Sequence, residues 1–366
     1  MTPTATVEPV KIDLANLRKT IAPVISDVEH GEPTAPAIAE ILTKRRYNPA
    51  STPPQLRPIY KLADAVIATP GNLVSVTSAV KTGKSAVIGA MLASVMAPEG
   101  GEADCLGFTS SNPKGYAVIH CDSEQSPDDH WHQNARTTKR AQLQSPEPPA
   151  WYYSYCLTGL GCRKSWECVN EAVRLATEQH GGIHSILLDG VADLVADVND
   201  AAECNAFVAS LHDLAIKHDC PIIGVIHFNP GGEKTRGHLG SQLERKAETN
   251  LRLDKANEVT SIWSDKQRRA PIPKGTGPCF QWNDDAGMHL SAGNRQAAAE
   301  AEEVERLEML AEEIFSETTS MKYSELISTV KTRQKIVERT AERRVSRMAK
   351  LKVIRKSAAG HWTKGT

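Results

Sequence analysis

The stretch from Gly71 to Ile88, Gly-Asn-Leu-Val-Ser-Val-Thr-Ser-Ala-Val-Lys-Thr-Gly-Lys-Ser-Ala-Val-Ile, constrains the fold more than any other part of the chain. Leu73–Val76 reads as a short buried strand, and the apolar run that opens at Lys84 reads as a helix. The segment joining them, Ser78-Ala79-Val80-Lys81-Thr82-Gly83-Lys84-Ser85-Ala86, has the spacing G-x-x-x-x-G-K-[ST], with Ser78 in place of the first glycine. A loop between a strand and a helix can turn its N–H groups onto a phosphate, and the helix N-terminus adds the positive end of its dipole. In that setting Lys84 reaches the β- and γ-phosphates of ATP, and the Ser85 hydroxyl ligates Mg²⁺.

Three apolar runs follow, each ending in polar residues. Tyr116-Ala-Val-Ile-His-Cys-Asp122-Ser-Glu124 is the first, Ser185-Ile-Leu-Leu-Asp189 the second and Cys220-Pro-Ile-Ile-Gly-Val-Ile-His227 the third. In a mostly parallel α/β sheet the C-terminal strand ends line one crevice, where ligands bind. The expected fold class is therefore α/β, and the strand ends would deliver Lys84, Ser85, Glu124, Asp189 and His227 to one nucleotide.

This order of elements over about residues 58–290 resembles the RecA-like P-loop ATPases. Within them it is most similar to the DnaB-type and plasmid RepA-type hexameric helicases and the AAA-type ATPases of mobile elements. The resemblance implies that Glu124 orients the attacking water, that Asp189 supports Mg²⁺ and that His227 senses the γ-phosphate. It also implies a ring, with a hexamer as the expected size. Ser261-Ile-Trp-Ser-Asp-Lys266-Gln-Arg268 resembles the Lys-x-Arg strand end that reaches a neighbouring subunit's nucleotide. An arginine there matches phosphate oxygens bidentately and is worth about 10³ to 10⁵ in rate. Arg236 is the alternative finger, although His238-Leu239-Gly240 separates it from the serine expected beside it.

Composition fits a cytoplasmic globular enzyme. The formal net charge of −1 neither demands nor excludes nucleic acid. No run of 18 apolar residues occurs, and the N-terminus lacks the regions of a signal peptide. The eight cysteines are scattered without a C-x-x-C pair and read as reduced thiols. His120, Cys121, His130 and His132 lie close together, but their spacing fits no standard zinc site.

Three parts are expected: an N-terminal helical and linker segment (1–57), the ATPase core (58–290) and a C-terminal domain (297–366). The first carries short helices over Ile12–Ile21 and Ala35–Lys44, followed by a proline-rich linker. In the last, residues 321–366 hold 13 Lys and Arg against 3 acids, a net charge of +10. Helices are expected over Ala297–Phe315, Tyr323–Thr329 and Glu338–Leu351, then a hairpin, the order of a small winged helix-turn-helix. Val345, Met348 and Leu351 would pack inward. Arg339, Arg343, Arg344, Arg347, Lys350, Arg355 and Lys356 would bind nucleic-acid phosphates, with the helix cations facing outward.

The expected function is an ATP-hydrolysing, DNA-associated motor of plasmid, phage or mobile-element replication. Its partners would be copies of itself, DNA and other replication proteins, with no membrane. The alternative is a nucleotide-switched regulatory or recombination ATPase that holds DNA through the winged helix without unwinding it. Nothing resembles the zinc site of a primase or a polymerase carboxylate set, which argues against primer synthesis.

Overall fold

A computed structural model describes residues 35–365 apart from 144, 146, 230, 231, 233, 317, 358 and 359, with side chains from 38 to 294 and from 303 onward. The chain divides into two compact units, residues 1–55 and 56–366. In the first, helix α1 (Ala35–Arg45) covers the expected segment and ends with Lys44 and Arg45 beside its negative dipole end. The helix expected over Ile12–Ile21 lies outside the described residues.

The second unit is built on a twisted sheet. Among the described residues nine strands pair in the order β12-β11-β10-β9-β3-β8-β7-β5-β6. These are β3 (Leu73–Ser78), β5 (Ala117–Asp122), β6 (Tyr152–Cys156), β7 (Ile183–Asp189), β8 (Ile222–His227), β9 (Thr249–Ala256), β10 (Val259–Gln267), β11 (Pro278–Asn283) and β12 (Met288–Asn294). From β9 through β3 to β6 every pairing is parallel. The last three strands extend the sheet antiparallel. A separate antiparallel ribbon joins β1 (Tyr60–Leu62), β2 (Ala65–Ala68) and β4 (Phe108–Thr109).

Strand alternation sends side chains to two apolar layers. On one face Val74, Val76, Val118, Leu187 and Val225 pack with helix α2 (Lys84–Met96) and the small ribbon. Helix α3 (Pro127–Arg140) lies against α2, close enough that a Cβ at Gly89 would sit 2.9 Å from Thr137 Oγ1. On the other face Ile119, Cys121, Ile186 and Leu188 pack with α4 (Cys162–His180), α5 (Ala201–Lys217) and α6 (Gly237–Lys246). The central strands are apolar on both sides because helices cover both faces.

The C-terminal residues build an apolar core of their own. Leu307, Leu310, Ala311 and Ile314 from α7 (Arg295–Ile314) meet Leu326, Ile327 and Val330 from α8 (Tyr323–Gln334) and Val345 and Met348 from α9 (Glu338–Lys350). Strands β13 (Ile354–Lys356) and β14 (Trp362–Lys364) form an antiparallel hairpin. Helix α8 runs five residues past the expected Thr329. Its apolar stripe stops at Val330, so the polar last turn carries no burial signal, and Lys335 in the left-handed region (φ 50°) ends it.

The expectation that Arg343, Arg344 and Arg347 all face outward is corrected. Arg343 is exposed. Arg347, however, forms an ion pair at 2.6 Å with Glu303 of α7, and Arg344 donates to Gln334 Oε1 of α8 at 2.5 Å. Residues 344 and 347 lie three apart and share the helix flank that faces α7 and α8. Arg339, Lys350, Arg355 and Lys356 are exposed.

Candidate functional site

The loop after β3 is closed by its own side chains. Ser78 is buried and does not need a positive φ, and so a side chain is tolerated where the motif has glycine. Thr82 Oγ1 donates to Ser78 Oγ at 2.5 Å, and Ser78 Oγ donates to the Ala79 carbonyl at 2.9 Å. The left-handed turn falls instead on Lys81 (φ 60°) and Gly83 (φ 88°). Val80 and Lys81 are exposed, while Ala86 begins the packed part of α2, which opens at Lys84.

Lys84 is only 8% exposed. Its ammonium donates to the Ala79 carbonyl at 3.3 Å and to His227 Nδ1 at 3.0 Å. Nδ1 therefore accepts, so the ring proton sits on Nε2 and donates to Glu124 Oε2 at 3.0 Å. Lys84, His227 and Glu124, from three separate strand ends, thus form one hydrogen-bonded chain. Burial holds the Lys84 ammonium below the usual lysine range, opposed by the charges of Glu124 and Asp189.

Asp189 ends β7 in register with Asp122 of β5. Burial first, then the charges of Asp122 and Glu124, push its carboxyl up to about 8, with Lys84 pulling the other way. The turn after it is tight. A Cβ at Gly190 (φ 98°) would lie 2.3 Å from Ser123 Oγ and 2.8 Å from Glu124 Cγ. Ser123 joins the two strand ends by donating from its amide to the Asp189 carbonyl at 3.0 Å and from its hydroxyl to the Gly190 carbonyl at 3.0 Å. Asp122 Oδ1 accepts the amides of Glu124 at 2.9 Å and Gln125 at 3.0 Å, which fixes the bend carrying Glu124.

These groups open on a cavity of about 410 Å³. Lys81, Gly83, Lys84, Ser85, Glu124, Gln125 and Asp189 line one end, and Arg136, Trp282 and His289 the other. Trp282 and His289 rings meet edge to face at 5.3 Å. Gln125 Nε2 lies 3.5 Å from Ser85 Oγ, and Gln133 donates to the Ser85 carbonyl. Gln125, Gln133, Arg136, Trp282 and His289 escape sequence reasoning. The first three lie in or beside a helix that reads only as polar, and the last two flank an ordinary turn.

The two ends suit a nucleotide. Backbone amides, an ammonium and a helix N-terminus stand at one end, and an aromatic pair with an exposed arginine stands at the other. Asp122, Glu124 and Asp189 set three carboxylates around the Lys84 ammonium, and a divalent cation is the charge this donor set lacks. Ser85 and Asp189 are the residues placed to hold it.

Three of the sequence-derived candidates stand away from this cluster. Arg236 is exposed at the N-terminus of α6 and lines a neighbouring cavity with Ser123, Asp193 and Asp197. The Lys266 ammonium donates to the carbonyls of Glu244 (3.0 Å), Arg245 (2.9 Å) and Ala247 (2.8 Å), so all three of its protons cap α6. Burial lowers its pKa first, and Arg268 adds repulsion. Arg268 is exposed and touches Asn72 Oδ1 at 3.3 Å, where β3 begins. The phosphate loop leaves the other end of β3, about 17 Å away for six strand residues.

Residues 46–233 match a family model described as an AAA domain (AAA_25). No curated protein matches the chain. Among solved structures the chain is similar to a helicase ATPase domain at 13% identity, with 61% of this chain and 85% of that chain covered and a TM-score of 0.41. It is also similar to the RadB recombinase at 16% identity, with 60% and 91% covered and a TM-score of 0.40. The family match spans just over half of the 366 residues and contains Lys84, Ser85, Glu124, Asp189 and His227. On this match the chain belongs to the AAA domain family, as a P-loop ATPase.

Proposed function

We propose that the protein is a RecA-like motor that hydrolyses ATP in a ring, a hexamer, and acts on DNA as a helicase or helicase-like ATPase. Its place would be in plasmid, phage or mobile-element replication. The observation that carries the chemistry is the hydrogen-bonded chain from Lys84 through His227 to Glu124. It links a phosphate-binding ammonium to a carboxylate through a ring whose two nitrogens report on both.

In this reading the loop Ser78–Ala86 wraps the phosphates and Lys84 turns from His227 to the β- and γ-oxygens. Glu124 orients the attacking water and accepts its proton. Trp282 and His289 offer faces for the base, and Arg136 a charge for the ribose–phosphate side. Ser85 and Asp189 hold Mg²⁺, which when bound neutralises charge on the phosphates.

Arg268 lies too far along β3 to serve its own chain's nucleotide, which favours action on a neighbour's. Lys266 is occupied as a helix cap, leaving Arg268 as the finger and Arg236 as its alternative. The exposed cations of α9 and the hairpin would grip DNA phosphates as the wing and recognition helix of a winged helix. The domain limits 1–57, 58–290 and 297–366 belong to the same proposal.

The test is mixing. Arg268→Ala chains and Lys84→Ala chains are each expected to lose DNA-stimulated ATP turnover. Mixed rings, followed by native mass measurement, should regain part of it, because some interfaces then pair an intact Lys84 with an intact Arg268. Rings that form but show no rescue at any ratio would overturn the finger in trans.

A further inference from the structure

Beneath the strand ends, between β5, β7 and α3, lies a buried polar cluster that hydrolysis does not use. His120 and Asp122 sit two residues apart on β5 and so point to the same face, toward α3. Both are 0% exposed, and His130 of α3, 8% exposed, presses onto them. His120 Nε2, Asp122 Oδ2 and His130 Nδ1 are all buried without a hydrogen-bond partner. An orphan of this kind ordinarily costs about 1–3 kcal/mol, so three together call for a ligand.

The geometry points inward. His130 Nδ1 stands 3.6 Å from Asp122 Oδ2. Ligand atoms of His120, Asp122 and Asp189 lie within 4.8 Å of one another. The two imidazole rings are nearly parallel, with centroids 5.7 Å apart. Ser154 of β6 holds both by their far nitrogens, 2.8 Å from His120 Nδ1 and 3.2 Å from His130 Nε2. That arrangement leaves the near nitrogens aimed at the carboxylates.

We propose that this pocket binds one divalent cation of the borderline class, with zinc as its representative, through His120 Nε2, Asp122 Oδ2, His130 Nδ1 and the Asp189 carboxylate. Donors around a tetrahedral zinc stand about 3.4 Å apart, so the His130–Asp122 spacing fits as it is. The remaining donors close by about an ångström through side-chain rotation. Two imidazoles with two carboxylates select zinc and its first-row neighbours over Mg²⁺ and Ca²⁺, which prefer all-oxygen shells. Ser154 is the outer group that orients both rings.

The set differs from the one suggested by spacing alone. Cys121 packs on the opposite face and His132 is exposed, while Asp122 and Asp189 take their places. Asp122 would bind the cation with Oδ2 while its Oδ1 holds the amides of Glu124 and Gln125. The cation would thereby tie α3 and the Glu124 bend to the sheet.

Full-length protein, dialysed against metal-free buffer and titrated with ZnCl₂, should retain about one zinc per chain by elemental analysis. CoCl₂ should give the visible absorption of a four-coordinate, nitrogen-ligated ion. Excess Mg²⁺ should displace neither, and Ser85→Ala should keep both, which separates this site from the nucleotide's. His130→Gln, with unchanged circular dichroism, should weaken zinc binding by about 100-fold or more. The wild-type zinc and cobalt measurements need no variant. Wild-type protein that takes up no zinc and gives no cobalt spectrum overturns the proposal, and so does folded His130→Gln protein that holds zinc as the wild type does.

Discussion

Gly83 shows how narrowly the phosphate loop is specified at one residue. Its φ of 88° is a conformation that side chains rarely adopt, and an added Cβ would lie 2.7 Å from Phe280 Cε2. Gly83→Ala should therefore lose about 1–3 kcal/mol of local stability and weaken nucleotide binding, read as a rise in Kd by calorimetry. Unchanged affinity would mean that the loop can rebuild without the left-handed turn. Ser78 is the opposite case. The motif has glycine there, yet the backbone needs none, and the hydroxyl knots the loop through Thr82 and Ala79. Lys84, Ser85 and Asp189 could be picked from the sequence because each directly follows or ends an apolar run. Trp282 and His289 could not, because they reach the cavity only through the antiparallel extension of the sheet.

At the scale of elements, what could be read depended on whether burial left a periodic trace. The strands β3, β5, β7 and β8 are covered on both faces and read as continuous apolar runs. The ribbon of β1, β2 and β4 is made of two- to four-residue strands, too short to show alternation. Strand β10 could be recognised, but not that Lys266 would turn back to cap α6, which depends on a helix twenty residues upstream. Helix α9 has a well-marked apolar stripe, and its cations follow from that. Arg339, Arg343 and Lys350 are its exposed cations, whereas Arg344 and Arg347 are engaged by α8 and α7. Replacing the exposed three with alanine should weaken DNA binding for every sequence and flatten the salt dependence by up to about three units. Titrations of fluorescent duplexes at several salt concentrations measure this. An unchanged slope would assign α9 to a protein partner.

Over the whole molecule, stability should depend on acid through histidines that fold in neutral form. His184 of β7 is buried edge-on to Tyr60 at 5.6 Å, with Ser185 Oγ 3.0 Å from Nδ1 and Ser110 Oγ 3.3 Å from Nε2. Burial lowers its pKa from 6.5 to about 4. Below pH 6.5 the unfolded chain binds a proton that the folded chain refuses, so stability falls as the pH drops toward 4. One such group contributes about 1.4 kcal/mol per pH unit across that window. Denaturant midpoints of wild type and His184→Gln, compared between pH 7 and 4.5, should converge as the pH falls. Parallel curves would show that His184 titrates normally. Among the described residues no helix is long and apolar enough to cross a membrane.

The central claim is that this cavity binds ATP and that Glu124 turns binding into hydrolysis. Glu124→Gln preserves the side chain's shape and removes its basicity. The most direct measurement is ATP binding and single-turnover hydrolysis, made in parallel on the wild type and this variant with DNA present. The account predicts ATP affinity within a few-fold of wild type and hydrolysis slower by about 10² to 10⁴. Hydrolysis at the wild-type rate with binding intact would contradict it, as would loss of ATP binding in a folded Glu124→Gln protein.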